Sequence, residues 1–413
     1  MKTVMTVYGT RPEAIKVAPV VKSLAASAKL EPIVISTGQH REMLTQVHEV
    51  FDITPDWDLN IFESGQGLNA IAGKIFKYLD PVLEDSSPDA LLVQGDTTTV
   101  AAASVAAFNR SVPVVHLEAG LRSGNLFSPF PEEGNRKITT QVASLHLAPT
   151  AQSRANLLHD GVDPRDIAVT GNTVIDTLLH VITMDVPFSD ERVTHAIQSH
   201  DRIMVVTSHR RENIGDPMRH IGAALARLSQ EYPNDAIIFP IHRNPQVREL
   251  IIPQIRHLSN VVVTDPMDYL EFTHLLKAAH IVLTDSGGVQ EEAPSLGKPV
   301  LVLRENTERP EAVYAGTVKL IGTDEDRIVR EVAELKDSPA AYAQMANAVN
   351  PYGDGHAAER TVAAIEELLG VGERLPDFSP IQLDKPVQPG AAPTRLDPGA
   401  APTRLDQIEI HAG

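Results

Sequence analysis

The chain has 413 residues, which is enough for two to three domains of ordinary size. Its 36 Lys and Arg against 54 Asp and Glu give a net charge of −18, which argues against nucleic-acid and anionic-membrane partners because both need a basic surface. The absence of cysteine excludes disulfides, thiol nucleophiles and thiolate metal sites. Arg11 and Glu13 come too early for a signal peptide, and no apolar run is long enough for a membrane span. We therefore expect a cytoplasmic globular protein.

Two series of short, β-branched apolar runs alternate with amphipathic stretches, and runs of this kind are typical of parallel strands buried on both faces. The pattern predicts an α/β fold with two doubly wound, Rossmann-like parallel-sheet domains that face a central cleft. We place these domains at 1–178 and 179–370, because the segment MDVPFSDE interrupts the alternation near their junction. The predicted strands are 3–8, 32–36, 90–94, 112–117, 145–148, 167–170, 203–207, 236–240, 261–264, 281–284, 300–303 and 318–321.

The last predicted helix, at 356–369, follows the turn-rich segment NPYGDG, and we expect it to pack back on the first domain. Beyond it the composition changes, and the nonapeptide PGAAPTRLD at 389–397 is repeated without change at 398–406. A Pro- and Ala-rich sequence of this kind has little to bury. We therefore predict that 371–413 is a disordered tail.

Parallel sheets bind ligands beyond the carboxyl ends of their strands, so the loops after the predicted strands carry the candidate site residues. In the first half, Arg11 in GTRPEAIK either projects into the cleft or lies on the surface, and the spacing does not decide. Asp96 in QGDTTT is either a helix N-cap or a cleft carboxylate. Glu118 ends an apolar strand, where a charge is costly unless it is paired or faces a cleft, so a functional role is favoured. For Glu132 in SPFPEEGNRK, the residues alone favour a solvated turn.

In the second half, basic residues follow two consecutive strands. His209 and Arg210 lie in SHRREN, and His242 lies in FPIHRNP. A lone histidine in such a place is most often structural. Two of them, each followed by an arginine, favour an anion site because a guanidinium pairs well with phosphate oxygens.

The strongest local signal is DSGGVQEE, which ends a strand and opens a helix. The backbone N–H groups and dipole of a helix N-terminus favour an anion, and Gly287 and Gly288 beside Ser286 allow a phosphate to approach closely. Glu292, one turn later, can accept hydrogen bonds from ribose hydroxyls, and Arg309 in NTERPEAV adds a cation.

This segment matches neither the dinucleotide GxGxxG fingerprint nor a Walker loop, and no spacing suggests a metal cage. We therefore predict neither a metal nor another cofactor. The combination of a phosphate cradle, arginines, carboxylates and a histidine is typical of an enzyme that breaks a bond to a diphosphate leaving group. The residues alone leave the reaction open.

Taken together, these segments resemble the non-hydrolysing UDP-N-acetylglucosamine 2-epimerases across roughly 1–370. The matching segments are GTRPEAIKVAPV, TGQHREML, QGDTTT, HLEAGLRSG, SPFPEEGNR, TGNTVID, SHRREN, DSGGVQEEAPSLGKPVLVLR, NTERPEAV and NPYGDG. The resemblance implies the two-domain fold of the B-type glycosyltransferases, a homodimer, and catalysis without NAD or metal. It also implies that UDP-GlcNAc and UDP-ManNAc interconvert by elimination of UDP to 2-acetamidoglucal and re-addition with inversion at C2, which supplies ManNAc units for cell-surface polysaccharide.

The resemblance further implies residue roles. The implied catalytic residues are Asp96, Glu118, Glu132 and His209. The implied substrate-binding residues are Arg11, Lys16, Phe272, Ser286, Gly287, Gly288, Glu292 and Arg309. Some relatives bind a second UDP-GlcNAc as activator, and the residues in the matching region are Gln39, Gln66, Arg210 and His242. Glu42 stands where some activated relatives have Gln, which leaves activation open.

Three alternatives remain at this point. A glycosyltransferase of the same fold would share the phosphate cradle but would consume its donor only with an acceptor. A hydrolysing epimerase would release free ManNAc and UDP. A non-catalytic nucleotide-sugar sensor is disfavoured because all the expected carboxylates are present.

Overall fold

The computed structural model describes residues 1–38, 41–63, 65–307 and 309–380, except for the side chains of 41–43. The strands are β1 Lys2–Tyr8, β2 Leu30–Ser36, β3 Trp57–Asp58, β4 Ala90–Gln94, β5 Val114–Leu117, β6 Leu145–Ala148, β7 Ile167–Val169, β8 Arg202–Thr207, β9 Asp235–Pro240, β10 Val261–Thr264, β11 Ile281–Thr284, β12 Val300–Val302 and β13 Val318–Leu320. The helices are α1 Arg11–Ala26, α2 Arg41–Phe51, α3 Leu68–Ser86, α4 Thr98–Asn109, α5 Glu132–Val142, α6 Ala151–His159, α7 Thr173–Val181, α8 Glu191–Ser199, α9 Asp216–Glu231, α10 Pro245–Ile255, α11 Tyr269–Ala278, α12 Gly287–Ser295, α13 Pro310–Ala315, α14 Glu325–Asp337, α15 Pro339–Ala346 and α16 Ala357–Leu368.

The strands form two parallel sheets. The first has the order β3-β2-β1-β4-β5-β6-β7, and the second has the order β10-β9-β8-β11-β12-β13. Every predicted run coincides with one strand, with small differences at the ends. The predicted α/β fold of two doubly wound sheets, as in the B-type glycosyltransferases, is thus confirmed. The two-residue strand β3 was not predicted, because it is exposed and has no apolar run; it exists through its pairing with Ile35 and Ser36 at the sheet edge.

Helix α7 connects the cores of the two sheets. It packs against α1 and α16 on the side of the first sheet and against α11 and α12 on the side of the second. One continuous cluster of buried aliphatic side chains therefore runs from Val4 through Ile175 to Val205 and Val282. Helix α7 therefore links the packed cores of the two sheets.

Helix α16 returns to the first sheet, where it packs against α1 and α7. The backbone N–H groups of Ala357 and Ala358 donate to the carboxylate of Asp176 at 3.2 and 2.8 Å, so a side chain of α7 caps this helix. Lys29 also contacts Glu366 at 2.7 Å. These contacts lie where the sequence places a final helix on the first domain.

The chain continues past α16 along the edge of the first sheet. The N–H of Phe378 donates to Val169 O at 2.7 Å, and Asp377 Oδ1 accepts from Val169 N at 2.9 Å. Residues 371–380 are therefore ordered, although the composition predicts a disordered tail that starts at residue 371. The buried side chain of Phe378 anchors this segment. The repeat at 389–406 lies outside the described residues.

None of the helices that the structure describes is both long and apolar enough to cross a bilayer. Within the same described ranges, no three His, Asp or Glu side chains are grouped closely enough to hold a metal ion. The polar side chains at the carboxyl ends of the strands are instead paired with one another, and these pairs define the candidate site.

Candidate functional site

The first turn of α1 ties two strand-end loops together. Buried Glu13 accepts hydrogen bonds from the N–H groups of Gly9 and Thr10 at 2.7 and 2.8 Å, and from Thr97 Oγ1 at 2.5 Å. Burial raises the pKa of Glu13, although these donors oppose the rise. Glu13 thus acts as a capping carboxylate that joins the loop after β1 to the loop after β4.

Glu118 follows β5 with a backbone φ of +64°, a left-handed conformation that costs a non-glycine residue energy and that is enriched at functional sites. Only 8% of its side chain is exposed. Its carboxylate accepts hydrogen bonds from Lys16 Nζ at 2.5 Å, from Gln94 Nε2, and from Asn172 Nδ2 at 3.2 Å. The charge at the end of this apolar strand is therefore paired.

Charged neighbours keep both Glu118 and Lys16 ionised. Burial favours the neutral carboxyl, but the attraction of Lys16, and then of Arg309 and Arg136, lowers the pKa of Glu118. Burial also disfavours the ammonium, but Glu118 and Glu291 raise the pKa of Lys16. Lys16, which the resemblance assigns to substrate binding, is thus in contact with a candidate catalytic carboxylate.

Asp96 and the first turn of α5 meet at Arg136. Asp96 Oδ2 accepts from Arg136 Nε and Nη2 at 2.9 and 2.7 Å, and Arg136 Nη1 contacts Glu133 at 2.9 Å. The N-cap of α4 is Thr97, so the N-cap interpretation of Asp96 is wrong. The Asp96 carboxylate is therefore paired with the guanidinium of Arg136.

The two acids of SPFPEEGNRK have different environments. Glu133 Oε2 accepts from Ser123 N at 3.1 Å as well as from Arg136, so this carboxylate holds the loop in place. Glu132 begins α5, and its Oε2 is buried without a hydrogen-bond partner among the described residues. An unpaired buried carboxylate oxygen is costly, so Glu132 does not have the environment of a freely solvated side chain. The interpretation of Glu132 as a solvated turn residue is wrong.

Asp285 organises the carboxyl end of the second sheet. It is fully buried and accepts from the N–H groups of His209 and Arg210, each at 2.9 Å, and from Ser208 Oγ at 2.9 Å. Its Oδ1 also lies 3.2 Å from His209 Nδ1. Burial raises the pKa of Asp285, but the hydrogen bonds, first that of His209, bring it below its usual value. This contact orients the imidazole so that Nε2 is the nitrogen left for a ligand.

A cavity of about 180 Å³ lies beside this histidine. Its lining includes His209, His242, Phe272 and Ser286, four of the residues that the sequence singles out. The two imidazole rings stack with their centroids 5.7 Å apart, and burial together with His209 lowers the pKa of His242. The structure therefore brings one candidate activator residue into the same cavity as three candidate catalytic or substrate-binding residues.

Arg309 packs against the first turn of α12. A Cβ on Gly287 would lie 2.5 Å from Arg309 Nη1, so only glycine allows this approach. Arg309 Nε donates to the buried carboxylate of Glu291. Burial disfavours the charged guanidinium, but Glu291 raises the pKa of Arg309. Ser286 occupies the N-cap of α12 without a side-chain bond to the helix.

Glu292 directly follows Glu291 on α12. Burial, and then the neighbouring Glu291, raise its pKa to about 7. Its Oε1 is 3.3 Å from the place that a Cβ on Gly288 would occupy, so the second glycine leaves room for this carboxyl. Glu292 therefore carries a proton for part of the neutral pH range.

The remaining predicted residues are more scattered. Arg11 lines a separate cavity of about 30 Å³ between α1, α2 and α11. Arg210 Nε donates to Asp285 O at 3.2 Å. Gln66 Nε2 donates to Ile61 O at 3.1 Å, and Gln66 does not line the histidine cavity. Gln39 lies outside the described residues, as does the side chain of Glu42.

Sequence reasoning missed Asp285 and Asn172. Both occur in segments that the resemblance covers, but the residues alone indicate no role for either. Asn172 precedes a helix and matches an ordinary N-cap signal, and Asp285 precedes the two glycines that carry the anion-site signal. Their bonds to His209 and Glu118 connect residues that are far apart in the chain, and no local pattern encodes such bonds.

The chain was compared with known proteins. Residues 22–366 match the family model described as UDP-N-acetylglucosamine 2-epimerase. A UDP-N-acetylglucosamine 2-epimerase of Escherichia coli is 50% identical over 368 residues, which cover 88% of this chain and 98% of the relative.

Two solved structures are also similar. The UDP-GlcNAc 2-epimerase from Neisseria meningitidis bound to UDP-GlcNAc is 46% identical with a TM-score of 0.80, and 88% of this chain and 100% of that chain are covered. The enzyme from Methanocaldococcus jannaschii in complex with UDP-GlcNAc and UDP is 33% identical with a TM-score of 0.72, and the match covers 89% of this chain and 100% of that chain. The family model alone spans most of the sequence, so the chain belongs to the UDP-N-acetylglucosamine 2-epimerase family.

Proposed function

We propose that the chain is a non-hydrolysing UDP-GlcNAc 2-epimerase that interconverts UDP-GlcNAc and UDP-ManNAc. The observation that carries this proposal is the chain of buried side chains from Glu118 to Arg309. It joins a carboxylate suited to proton transfer to a guanidinium suited to a diphosphate, with Asn172 and Glu291 between them. An enzyme that removes a proton from a sugar while its diphosphate departs needs both groups in one site.

The nucleotide would occupy the side of the second sheet. The N-terminus of α12 with Arg309 suits the diphosphate, since a helix N-terminus and a guanidinium both favour an anion. Glu292 would accept hydrogen bonds from ribose hydroxyls, and Phe272 lines the cavity that would receive the uracil ring. The N. meningitidis relative was solved with UDP-GlcNAc, which supports this choice of substrate.

The chemical difficulty is the proton at C2, which no adjacent carbonyl acidifies. Elimination solves it: the C1–O bond breaks, UDP takes the electron pair, and a base removes the C2 proton to give 2-acetamidoglucal. UDP then adds back to C1 while an acid returns a proton to the opposite face of C2. The substrate and the product have the same oxidation state, so the reaction needs no external oxidant or reductant.

The candidate acids and bases are Asp96, Glu118 and Glu132, and His209 would assist the departing phosphate. Glu118 is held ionised, as a base must be, and Glu132 has a buried oxygen without a partner among the described residues. His209 receives its orientation from Asp285. Closure of the two sheets over the fragments would prevent the glucal from escaping.

The purified chain with UDP-GlcNAc alone tests this proposal, with the products separated by chromatography. We expect an equilibrium mixture of two UDP-sugars with little free UDP. Release of ManNAc and UDP in equal amounts would identify a hydrolysing epimerase. Donor consumption only after an acceptor is added would identify a glycosyltransferase of the same fold.

We also propose a homodimer formed through α3, α4 and α5. These adjacent helices expose the large apolar side chains of Phe76, Phe108 and Ile138, at 39%, 56% and 47% of their surfaces. These exposed side chains on adjacent helices support the proposal, because contiguous apolar surface is typical of protein interfaces. Light scattering after size exclusion should show a dimer that Phe108→Glu dissociates. The matched variant Tyr314→Glu, at an 87% exposed aromatic on α13, should remain dimeric.

The proposal extends to activation by a second UDP-GlcNAc near His242, Arg210 and Gln66. It also extends to a cytoplasmic role in supplying ManNAc units for cell-surface polysaccharide. If the activator site operates, conversion of UDP-ManNAc alone should be slow and should accelerate when a trace of UDP-GlcNAc is added. Progress curves without a lag would contradict activation.

A further inference from the structure

Asn172 lies at the junction of the two sheets, directly before α7. Its Oδ1 accepts a hydrogen bond from Val174 N at 3.1 Å and so caps that helix. This bond settles the orientation of the amide, because an oxygen must face the helix and the amino group must face the other way. The backbone N–H of Asn172 also donates to Tyr352 O at 2.6 Å, which fixes the residue further.

The amino group of Asn172 lies between two acids from different sheets. Nδ2 donates to Glu118 Oε1 at 3.2 Å, after β5 of the first sheet, and to Glu291 Oε2 at 2.9 Å, on α12 beside the second. Only 8% and 4% of these two acidic side chains are exposed. Two buried carboxylates this close repel each other unless a donor separates them, and a side-chain amide has one N–H for each.

Each acid holds a cation on its other side. Lys16 contacts Glu118, and Arg309 contacts Glu291. The result is a continuous line of five side chains that crosses from α1 to the loop before α13. Asn172 is its centre and its only uncharged member among the described residues.

We propose that Asn172 is a positioning residue that holds the Glu118 carboxylate in register with the diphosphate-binding Arg309. The inference rests on the proposed epimerase function, since it assigns Glu118 to proton transfer and Arg309 to the leaving group. Any shift of one sheet relative to the other changes the distances from Asn172 Nδ2 to Glu118 and to Glu291. Asn172 therefore couples the geometry of the proton-transfer end to that of the nucleotide end.

The charges around Glu118 determine what a substitution does. Lys16 on α1, Arg136 on α5 and Arg309 before α13 face it with positive charge, and His116 on β5 is a buried neutral imidazole. Asn172→Asp keeps the cap of α7, because Asp is as good an N-cap as Asn. It replaces a donor with a third carboxylate between Glu118 and Glu291, which disfavours ionisation of Glu118.

The pH dependence of kcat/KM tests the inference in four variants. In Asn172→Asp we expect kcat/KM at neutral pH to fall at least about tenfold, and we expect the acid limb of the profile to move to higher pH by about one unit. Asn172→Ser keeps a cap and adds no charge, so its acid limb should move less. Adding Glu291→Gln to Asn172→Asp removes one of the three negative charges and should return the limb toward that of the wild type. Asn347→Asp, an exposed site at the end of α15, should behave as the wild type.

Thermal unfolding of each variant separates misfolding from misplacement. If Asn172→Asp does not fold, Asn172→Ser carries the test with a shift of the same sign and an unchanged Kd for UDP. A folded Asn172→Asp whose acid limb matches that of Asn347→Asp would overturn the inference alone. A wild-type chain that leaves UDP-GlcNAc unchanged at every pH would overturn the proposed function and the inference with it.

Discussion

His209 owes its orientation to Asp285, a buried carboxylate that also receives two backbone N–H groups. An imidazole whose Nδ1 faces a carboxylate presents Nε2 to a ligand. The same carboxylate therefore shapes the loop after β8 and sets the direction of the histidine. Loss of its charge should affect catalysis more than folding.

We predict that Asp285→Asn lowers kcat by about 100-fold or more, the usual scale for a misdirected acid–base group. The amide can still accept from the N–H groups of His209 and Arg210, so the loop should keep its shape. Steady-state kinetics together with the thermal midpoint measure both effects. Normal turnover in a folded Asp285→Asn protein would remove Asp285 and its contact with His209 from the mechanism.

Glu292 offers a pH test of nucleotide binding. Its pKa of about 7 means that it is largely protonated below neutrality, whereas an acceptor for ribose hydroxyls works best when it is ionised. UDP should therefore bind more tightly as the pH rises from 6 to 8, with release of a proton. Calorimetry on wild type and Glu292→Gln isolates this contribution, because the ionisation of UDP itself is common to both. Equal pH slopes would contradict the role of Glu292.

At the scale of an element, the N-terminus of α12 depends on the absence of a side chain at Gly287. Gly287→Ala would place a Cβ 2.5 Å from Arg309 Nη1, so the guanidinium must move. We predict that the Kd for UDP rises about tenfold or more, which corresponds to the loss of one charge-assisted contact. Gly73→Ala in α3, where a Cβ would meet nothing within 4 Å, is the matched control. UDP binding that is equal in the two variants would contradict the assignment of Arg309.

The paired strands β5 and β6 carry two buried histidines, His116 and His146, that face each other in register. Burial lowers the pKa of His116 to about 4 and that of His146 to about 3. The unfolded chain takes up these protons near pH 6.5 and the folded chain does not, so stability falls as the pH drops from about 6.5 to 4.

We predict that acidification from pH 7 to 4.5 destabilises the wild type more than His116→Gln, by up to about 3 kcal/mol for this one group. Urea unfolding at the two pH values measures the difference, and His159→Gln, at the exposed end of α6, serves as a control for a histidine outside the core. Identical acid sensitivity of wild type and His116→Gln would show that His116 takes up its proton over the same pH range in the folded and unfolded states, which contradicts a lowered pKa.

For the molecule as a whole, α7 and its cap join the two sheets. Predictions from sequence succeeded where local pattern carries the information: the buried strands, and the helix that starts at the two glycines. They failed for β3, whose two residues have no apolar run, and for the order of 371–380, which depends on Phe378.

In the candidate site, too, local patterns predict some features, whereas long-range contacts determine the others. The position of Glu118 at a strand end is visible in the sequence, but its partner Lys16 lies 102 residues earlier. Asn172 looks like a simple N-cap because its second role depends on Glu291, which lies 119 residues later. Long-range pairing of this kind follows from the topology of the sheets rather than from spacing along the chain.

Solvent isotope uptake probes the central claim most directly. Wild-type protein is incubated with UDP-GlcNAc in D2O and followed by proton NMR. We predict that deuterium enters C2 of both UDP-sugars at a rate at least equal to that of epimerisation, because the C2 proton leaves and is replaced during each inversion. Epimerisation with C2 still fully protonated would contradict elimination and re-addition through the glucal.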